Sequence, residues 1–380
     1  MRPFLTEDQS ALKTQLRHWV EQTLFSREEG DCDEDARKLA RLFAERGLIA
    51  YVANREDGGV REKVQARDIC LIREEIARGS ALADSTFAMQ GLGTYPISLA
   101  GTREQRARHL PPVIRGEHLA AFAITEPEAG SDVASMTTRA TRDGDVYRVN
   151  GVKRFISNAG IAQTYSLFAK TSPEAGAKGV SAFIVEWGTP GFVLKEKTPL
   201  ISPHPIGVIG FNDCRVPASQ RLGQEGEGIK IALGTLDLFR CTVGAAAVGL
   251  AQRALEEGLR YAAARKQFGR ALAEFQAIQF KLADMATELE AARLLVYRAA
   301  WTRDVEGKAV TLEASMAKLY ATEAAQRVID QALQIHGGAG VVVGTPVERL
   351  YRHIRAMRIY EDTSEIQHPV IARQLLRGAG

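Results

Sequence analysis

Between residues 275 and 296 the apolar side chains Phe275, Ile278, Leu282, Met285, Leu289, Ala292 and Val296 recur at alternating steps of three and four. That spacing places them on one face of a long helix, and a stripe of that length needs other helices to pack against. The flanking sequence supplies them. From Gly226 to the end the chain is rich in Ala, Leu, Glu, Gln and Arg, all good helix formers. From Thr6 to about His118 the texture is also helical. Thr6 is an N-cap candidate followed by acidic residues, with Leu12, Leu16 and Val20 four apart. Thr102 is a second cap candidate, with Glu104 in the next turn, and that helix is expected to stop before Pro111-Pro112.

The central stretch differs. Asp143-Gly144 and Asn150-Gly151 are tight-turn dipeptides. Residues 137–142, 146–149 and 152–156 read as an antiparallel meander. β-prone runs follow at Ser166–Ala169, Val180–Val185 and Phe192–Leu194, and Asn212, Pro217 and Gly223 mark the way out. The class is α+β, mostly α. The expected division is a helical domain over residues 1–118, a β domain over 119–225 and a helical bundle over 226–380.

Composition and missing motifs narrow the function. Lys+Arg number 49 against 46 Asp+Glu, a net charge of +3 with the signs interspersed, so no nucleic-acid footprint stands out. Cys32, Cys70, Cys214 and Cys241 form no C-x-x-C, and the seven histidines include no H-E-x-x-H, so no metal site is indicated. The acidic start of the chain does not read as a signal peptide. The run Val243–Ala251 is far short of the ~20 apolar residues that cross a bilayer. A soluble, cytoplasmic protein is the expectation. There is no G-x-x-x-x-G-K-[ST] and no G-x-S-x-G. The glycines of residues 223–228 lack the G-x-G-x-x-G spacing, which argues against a P-loop, a serine hydrolase and a nicotinamide-binding Rossmann fold.

Residues 121–132, AFAITEPEAGSD, begin as a strand and break at Pro127 and Gly130 into a loop with free amides and hydroxyls. The segment resembles the T-E-P-x-x-G-S-D signature of the acyl-CoA dehydrogenase family, and four further segments match that family in order. Asn150–Asn158 resembles N-G-x-K-x-W-I-[TS]-N. Arg265–Gly269 with Phe275-Gln276 resembles R-x-x-F-G…Q. Gln334–Gly340 resembles Q-x-x-G-G-x-G, and Tyr360–Gln367 resembles Y-E-G-T-S-x-I-Q.

The resemblance implies an N-terminal helical domain, a central antiparallel β domain and a C-terminal four-helix bundle. It also implies FAD as cofactor. Phe122, Ile124, Thr125, Gly130 and Ser131 are then expected along the isoalloxazine and the CoA entrance, with Phe155, Ile156 and Ser157 over the other side of the ring. Arg265, Phe268, Gln276, Gln334, Gly337 and Gly338 would hold the pyrophosphate and adenine, in this family partly of a neighbouring subunit, whence a homotetramer. Thr363 and Glu365 would approach the cofactor. Asp237, Arg240, Tyr360, Asp362 and Ser131 would meet the acyl-CoA, and residues Phe87 to Tyr95 would border its pocket.

An α-proton of a thioester is too weakly acidic for an unaided carboxylate, so the enolate oxygen needs positioned donors. Carried over from the family, these are a ribityl hydroxyl of FAD and the Glu361 N–H. By the same resemblance, the Glu361 side chain would remove the α-proton while the β-hydride would go to flavin N5, and electrons would pass to an electron-transfer flavoprotein. An apolar pocket is expected to raise the Glu361 pKa toward working pH. Some relatives carry the base on an earlier helix, near Phe239 here, and an aromatic ring cannot accept a proton. Two positions depart from the pattern: Asp362 replaces glycine and Phe155 replaces tryptophan.

Competing accounts stand beside these. Arg265 could be a solvated helix charge, Phe155 and Phe268 core aromatics, and Gln334 a helix cap. The glycines 337, 338 and 340 could form a simple helix exit, Asp237–Arg240 a plain ion pair, and Glu361 a surface acid. At the level of function the alternatives are an oxygen-using acyl-CoA oxidase relative and a non-catalytic helical binding protein.

Overall fold

The computed structural model describes residues 4–25, 27 and 30–378. The chain forms two compact units. One comprises Met1–Arg27, Ala66–Asp84 and Asp237–Gly380; the other comprises Glu28–Gln65 and Ser85–Leu236.

The first unit is helical. It contains α1 (Glu7–Thr23), α3 (Ala66–Gly79), most of α6 (Gly228–Ala264), α7 (Gln276–Val305), α8 (Thr311–His336), α9 (Pro346–Met357) and α10 (Ser364–Gly378). Thr6 caps α1 as expected, and Leu16 and Val20 are buried. In α7 the periodic stripe is buried only from its middle onward, at Met285, Leu289, Ala292 and Val296, whereas Ile278 and Leu282 are partly exposed. Helix α8 packs against α7, α9 and α10. Close approach at α6 depends on Gly249, where a Cβ would lie 2.1 Å from the Glu74 carbonyl oxygen of α3. Helix α6 is long and apolar enough to cross a bilayer, but 78% of its apolar window is buried inside the protein, as in a core helix.

The second unit contains α2 (Cys32–Glu45), most of α4 (Ala81–Ala100), α5 (Arg103–Ile114) and a sheet. The strands are β1 (Ala120–Ala123), β2 (Arg139–Asp143), β3 (Val146–Ser157), β4 (Thr164–Lys170), β5 (Val180–Glu186), β6 (Phe192–Lys197), β7 (Ile206–Pro217) and β8 (Arg221–Leu222). They lie in the order β6-β7-β3-β2-β4-β5-β8, with β1 beside β4. Pairing is antiparallel except for β1–β4 and β2–β4. The core of this unit gathers Tyr147, Val149, Ile156, Tyr165, Leu167, Phe183 and Ile209 with Ala36 and Ala40 of α2.

Three local expectations need correction. Helix α5 does not stop before Pro111-Pro112 but runs through them to Ile114. The carbonyls that lose their donors belong to Ala107 and Arg108, both exposed to water, while Leu110 and Val113 are buried and hold the last turn in place. Asn150-Gly151 is not a hairpin turn. It lies inside the single strand β3, at a bulge where the register against β7 shifts between Val149 and Gly151. Gly151 has φ 152°, and a Cβ there would sit 2.7 Å from Thr138 Cα. The stretch read as an exit from the sheet is β7, one of its longest strands; Gly207 and Gly210 dilute its β signal.

Candidate active site

Glu361 lies in the turn between α9 and α10, and the turn is tied to α8. Lys318 Nζ donates to the Asp362 carbonyl at 2.6 Å. Glu323 accepts from Arg358 Nε at 2.8 Å and from the Ser364 hydroxyl at 2.6 Å. Both Glu361 (φ 49°) and Asp362 (φ 72°) occupy the left-handed region. That conformation costs a non-glycine residue roughly 1–2 kcal/mol, less for aspartate, which tolerates it better. It explains why glycine suits position 362.

Glu361 Oε2 is buried and has no hydrogen-bond partner among the described residues. Nor does the Glu361 N–H donate to any acceptor among them. Burial raises the carboxyl above its usual 4.5, and Asp362 adds to this; Arg73, Arg240 and Lys318 pull against it. Repulsion between the neighbouring carboxylates of Glu361 and Asp362 is thus present but secondary to desolvation. Arg240 is buried and bridges Asp362 at 2.7 Å and Asp237 at 3.3 Å. Arg73 makes a two-pronged pair with Asp84 at 2.9 and 2.8 Å and donates to the Thr242 hydroxyl at 2.8 Å. Tyr360 is 39% exposed. The Thr363 hydroxyl caps α10, accepting from Ile366 N at 3.3 Å, and Glu365 is exposed.

In the β unit, the loop after β1 is pinned to β3. Lys153 Nζ donates to Glu126 Oε1 and to the Ile124 carbonyl, each at 2.9 Å, and Arg154 N donates to the Thr125 carbonyl at 2.9 Å. Glu126 also accepts from Thr137 N at 2.6 Å, Thr137 Oγ1 at 2.9 Å and Thr138 N at 3.0 Å. A second bulge in β3 sets Phe155 at φ 55°, with its ring 48% exposed and the Arg154 guanidinium 4.7 Å above it. The Ile156 side chain is 1% exposed and belongs to the core, so only its main chain is left for a ligand. Ser157 is half-buried and Phe122 is packed on Phe168, while Gly130 and Ser131 are exposed.

The remaining motif residues sit on the helical unit. Arg265 and Gln276 are exposed, and Phe268, at φ 52°, is 93% exposed with its ring 6.3 Å from that of Phe275. Gln334, Gly337 and Gly338 are exposed at the end of α8. There His336 stacks on Tyr261 at 4.3 Å, which joins the C-terminal ends of α6 and α8.

Comparison with known proteins decides the family. The chain matches the acyl-CoA dehydrogenase N-terminal domain over residues 6–117, the middle domain over 121–214 and the C-terminal domain over 226–376. The chain belongs to the acyl-CoA dehydrogenase family. It is 41% identical to a 3-(aryl)acrylate reductase of Clostridium sporogenes, over 98% of this chain and all of that one. It is 38% identical to the caffeyl-CoA reductase-Etf complex subunit CarC of Acetobacterium woodii, with coverage of 98% and 100%. Butyryl-CoA dehydrogenase of Megasphaera elsdenii superposes with TM-score 0.84 at 37% identity, over 92% of this chain and 100% of that one.

This family member is therefore an oxidoreductase with the acyl-CoA dehydrogenase fold, and its cofactor is FAD. The loop chemistry suits FAD: an aromatic ring held out at positive φ stands two residues from a hydroxyl with unspent hydrogen-bonding capacity.

Sequence reasoning missed four polar groups around these residues. Glu126 and Lys153 lie inside two quoted motifs, but only the fold pairs them. Lys318 was detectable as one of the polar residues Ser315, Lys318 and Thr322 spaced three and four apart in an alanine-rich helix, and all three are fully buried. Arg73 lay in a segment read for texture alone.

Proposed function

We propose that this enzyme interconverts an acyl-CoA and its α,β-unsaturated counterpart, with Glu361 exchanging the α-proton. The observation that carries this is the buried, unpartnered Oε2 of Glu361 on a turn fastened to α8. A carboxylate held so, with its pKa raised by burial, is poised as a general base. The unspent Glu361 N–H is a donor for the thioester oxygen as negative charge builds there. Arg240 and Asp237 border the acyl-CoA site, Tyr360 and Asp362 shape it, and Ser131 lies at the CoA entrance.

FAD, when bound, supplies the two-electron acceptor for the hydrogen leaving the β-carbon. Phe122, Ile124, Thr125, Gly130, Phe155, the main chain at Ile156, and Ser157 are assigned to its ring, with Thr363 and Glu365 also close to it. Arg265, Phe268, Gln276, Gln334, Gly337 and Gly338 are assigned to pyrophosphate and adenine, Arg265 because a guanidinium fork matches phosphate oxygens. The strong exposure of Phe268 supports a homotetramer in which neighbouring subunits share cofactor contacts. An electron-transfer flavoprotein is the proposed electron partner, as for the Etf complex subunit of Acetobacterium woodii. The domain division at residues 118 and 225 belongs to the same reading.

A second direction is favoured by the relatives named as reductases. By microscopic reversibility, protonated Glu361 would return the proton to the α-carbon. Glu361→Gln tests the base in either direction. The variant should keep yellow FAD and lose bleaching by acyl-CoA, and full bleaching rejects the assignment. Rates with acyl-CoA plus a dye oxidant, set against enoyl-CoA plus a reduced dye, decide the direction.

A further inference from the structure

Three cations converge on Glu361, and Arg73 alone among them makes no contact with Asp362. It is buried on α3, and its guanidinium is fixed on two sides. Nε and one Nη donate to the two Asp84 oxygens at 2.9 and 2.8 Å. The other Nη donates to the Thr242 hydroxyl at 2.8 Å. Thr242 gives its own hydrogen to the Phe239 carbonyl at 2.7 Å, so it meets Arg73 as an acceptor. Asp84 lies in the first turn of α4 and Thr242 in α6, so two helices besides its own set the guanidinium plane.

A guanidinium has five N–H groups, and these contacts use three of them. The Tyr360 hydroxyl accepts a further hydrogen bond from Arg73. Burial raises the phenol above its usual range although Arg73 pulls against it, so the hydroxyl keeps its hydrogen at neutral pH. No acceptor among the described residues takes that hydrogen. Tyr360 directly precedes Glu361 and is 39% exposed, so a ligand can reach it. A hydroxyl that accepts from a fixed cation is a strengthened donor.

A buried ion pair holds a fold together little better than apolar side chains of the same volume. Here it aims a donor. Hydrocarbon laid against Tyr360 leaves that donor unpaired, whereas an oxygen completes the chain from Asp84 outward.

We propose that Tyr360, positioned by Arg73 and Asp84, selects acyl groups that carry an uncharged oxygen on the γ-carbon or beyond. This rests on the proposed function, which puts Tyr360 at the acyl-CoA site. The α- and β-carbons are the ones that react, so the oxygen must lie further out. A carboxylate is disfavoured, because Asp84 already neutralises Arg73 and Glu361 is the next residue. An ammonium has no hydrogen-bond acceptor to offer the Tyr360 O–H.

The test measures acyl-CoA dissociation constants in the Glu361→Gln holoenzyme, from perturbation of the visible flavin band. One matched set is hexanoyl-CoA, 5-hydroxypentanoyl-CoA and glutaryl-CoA. A second is 3-phenylpropanoyl-CoA with 3-(4-hydroxyphenyl)propanoyl-CoA. In at least one set the hydroxylated member should bind about tenfold more tightly than its hydrocarbon partner. Adding Tyr360→Phe should bring that ratio to within about twofold of unity. Adding Arg73→Met with Asp84→Leu keeps the phenol but frees it, and should bring the ratio below about threefold.

Equal affinities in both sets, or tightest binding of glutaryl-CoA, overturn the inference, and the proposed function still stands if acyl-CoA bleaches the wild type. A ratio that survives Tyr360→Phe removes Tyr360 as the donor. A ratio unchanged in the Arg73→Met, Asp84→Leu variant, with FAD retained, makes the ion pair merely structural. Should that variant not fold, the wild-type preference and its loss in Tyr360→Phe decide. A wild type that no acyl-CoA binds or bleaches sinks both readings.

Discussion

Removing the Lys153 ammonium should destabilise the β unit, and removing Glu126 as well should restore most of the loss. Both side chains are buried, with 0% and 2% of their side-chain surface exposed, and they pair at 2.9 Å. Burial opposes the Glu126 carboxylate, but Lys153 and the donors of Thr137 and Thr138 overcome it and hold the group down to about 2, against an ordinary 4.5. That depression corresponds to about 3 kcal/mol of stability, present above pH 4.5 and lost as the pH falls toward 2.

Lys153 moves the other way in effect. Burial pushes it from 10.5 to about 8 despite Glu126, so its charged form costs about 3 kcal/mol below pH 8, a cost relieved as the pH rises toward 10.5. A buried pair of this kind is worth little net, because the desolvation of both ions offsets their attraction. Breaking it is another matter, because a buried carboxylate is left without its counter-ion, at about 3–5 kcal/mol. Urea unfolding at pH 7, at fixed FAD and protein concentration, should show Lys153→Met losing about 1 M in midpoint for a slope of about 3 kcal/mol/M. Glu126→Gln should fall similarly, and the double variant should return to within about 1 kcal/mol of wild type. If Lys153→Met is as stable as wild type, or the two losses simply add, the account of this pair is wrong. The Ile124 carbonyl also loses its Lys153 donor, so the loop should exchange amide hydrogens faster in the single variant.

Asp362→Gly removes one group that raises the Glu361 carboxyl and frees Arg240, one that lowers it. The acid limb of the kcat profile should therefore move to lower pH; a limb that stays or moves up refutes this electrostatic account. Gly151→Ala forces a Cβ against Thr138 at φ 152°, and should cost about 1–3 kcal/mol and lower the melting temperature. An unchanged melting temperature would mean that the bulge relaxes freely.

Much of the architecture was written in local pattern. The three- and four-residue spacing that marks α7, the caps at Thr6 and Thr102, and the turn at Asp143-Gly144 are short-range devices, so their effect can be read residue by residue. Five motifs in order placed the chain in its family for the same reason: each is a contiguous string.

What failed were cases where distant contacts overrule local preference. Packing of Leu110 and Val113 carried α5 through two prolines, and pairing with β7 drew Asn150-Gly151 into a strand as a bulge. Glycine-diluted β7 exists because β3 and β6 flank it.

The electrostatics of the site are of that second kind. A sequence can show that residue 361 is a glutamate and residue 362 an aspartate where glycine is usual. Whether Glu361 is desolvated, which cations surround it, and that Arg73, Arg240 and Lys318 from three different helices converge near it depend on how those helices pack. Charge interactions act through space and not along the chain, so that part of the chemistry was set only when the protein folded.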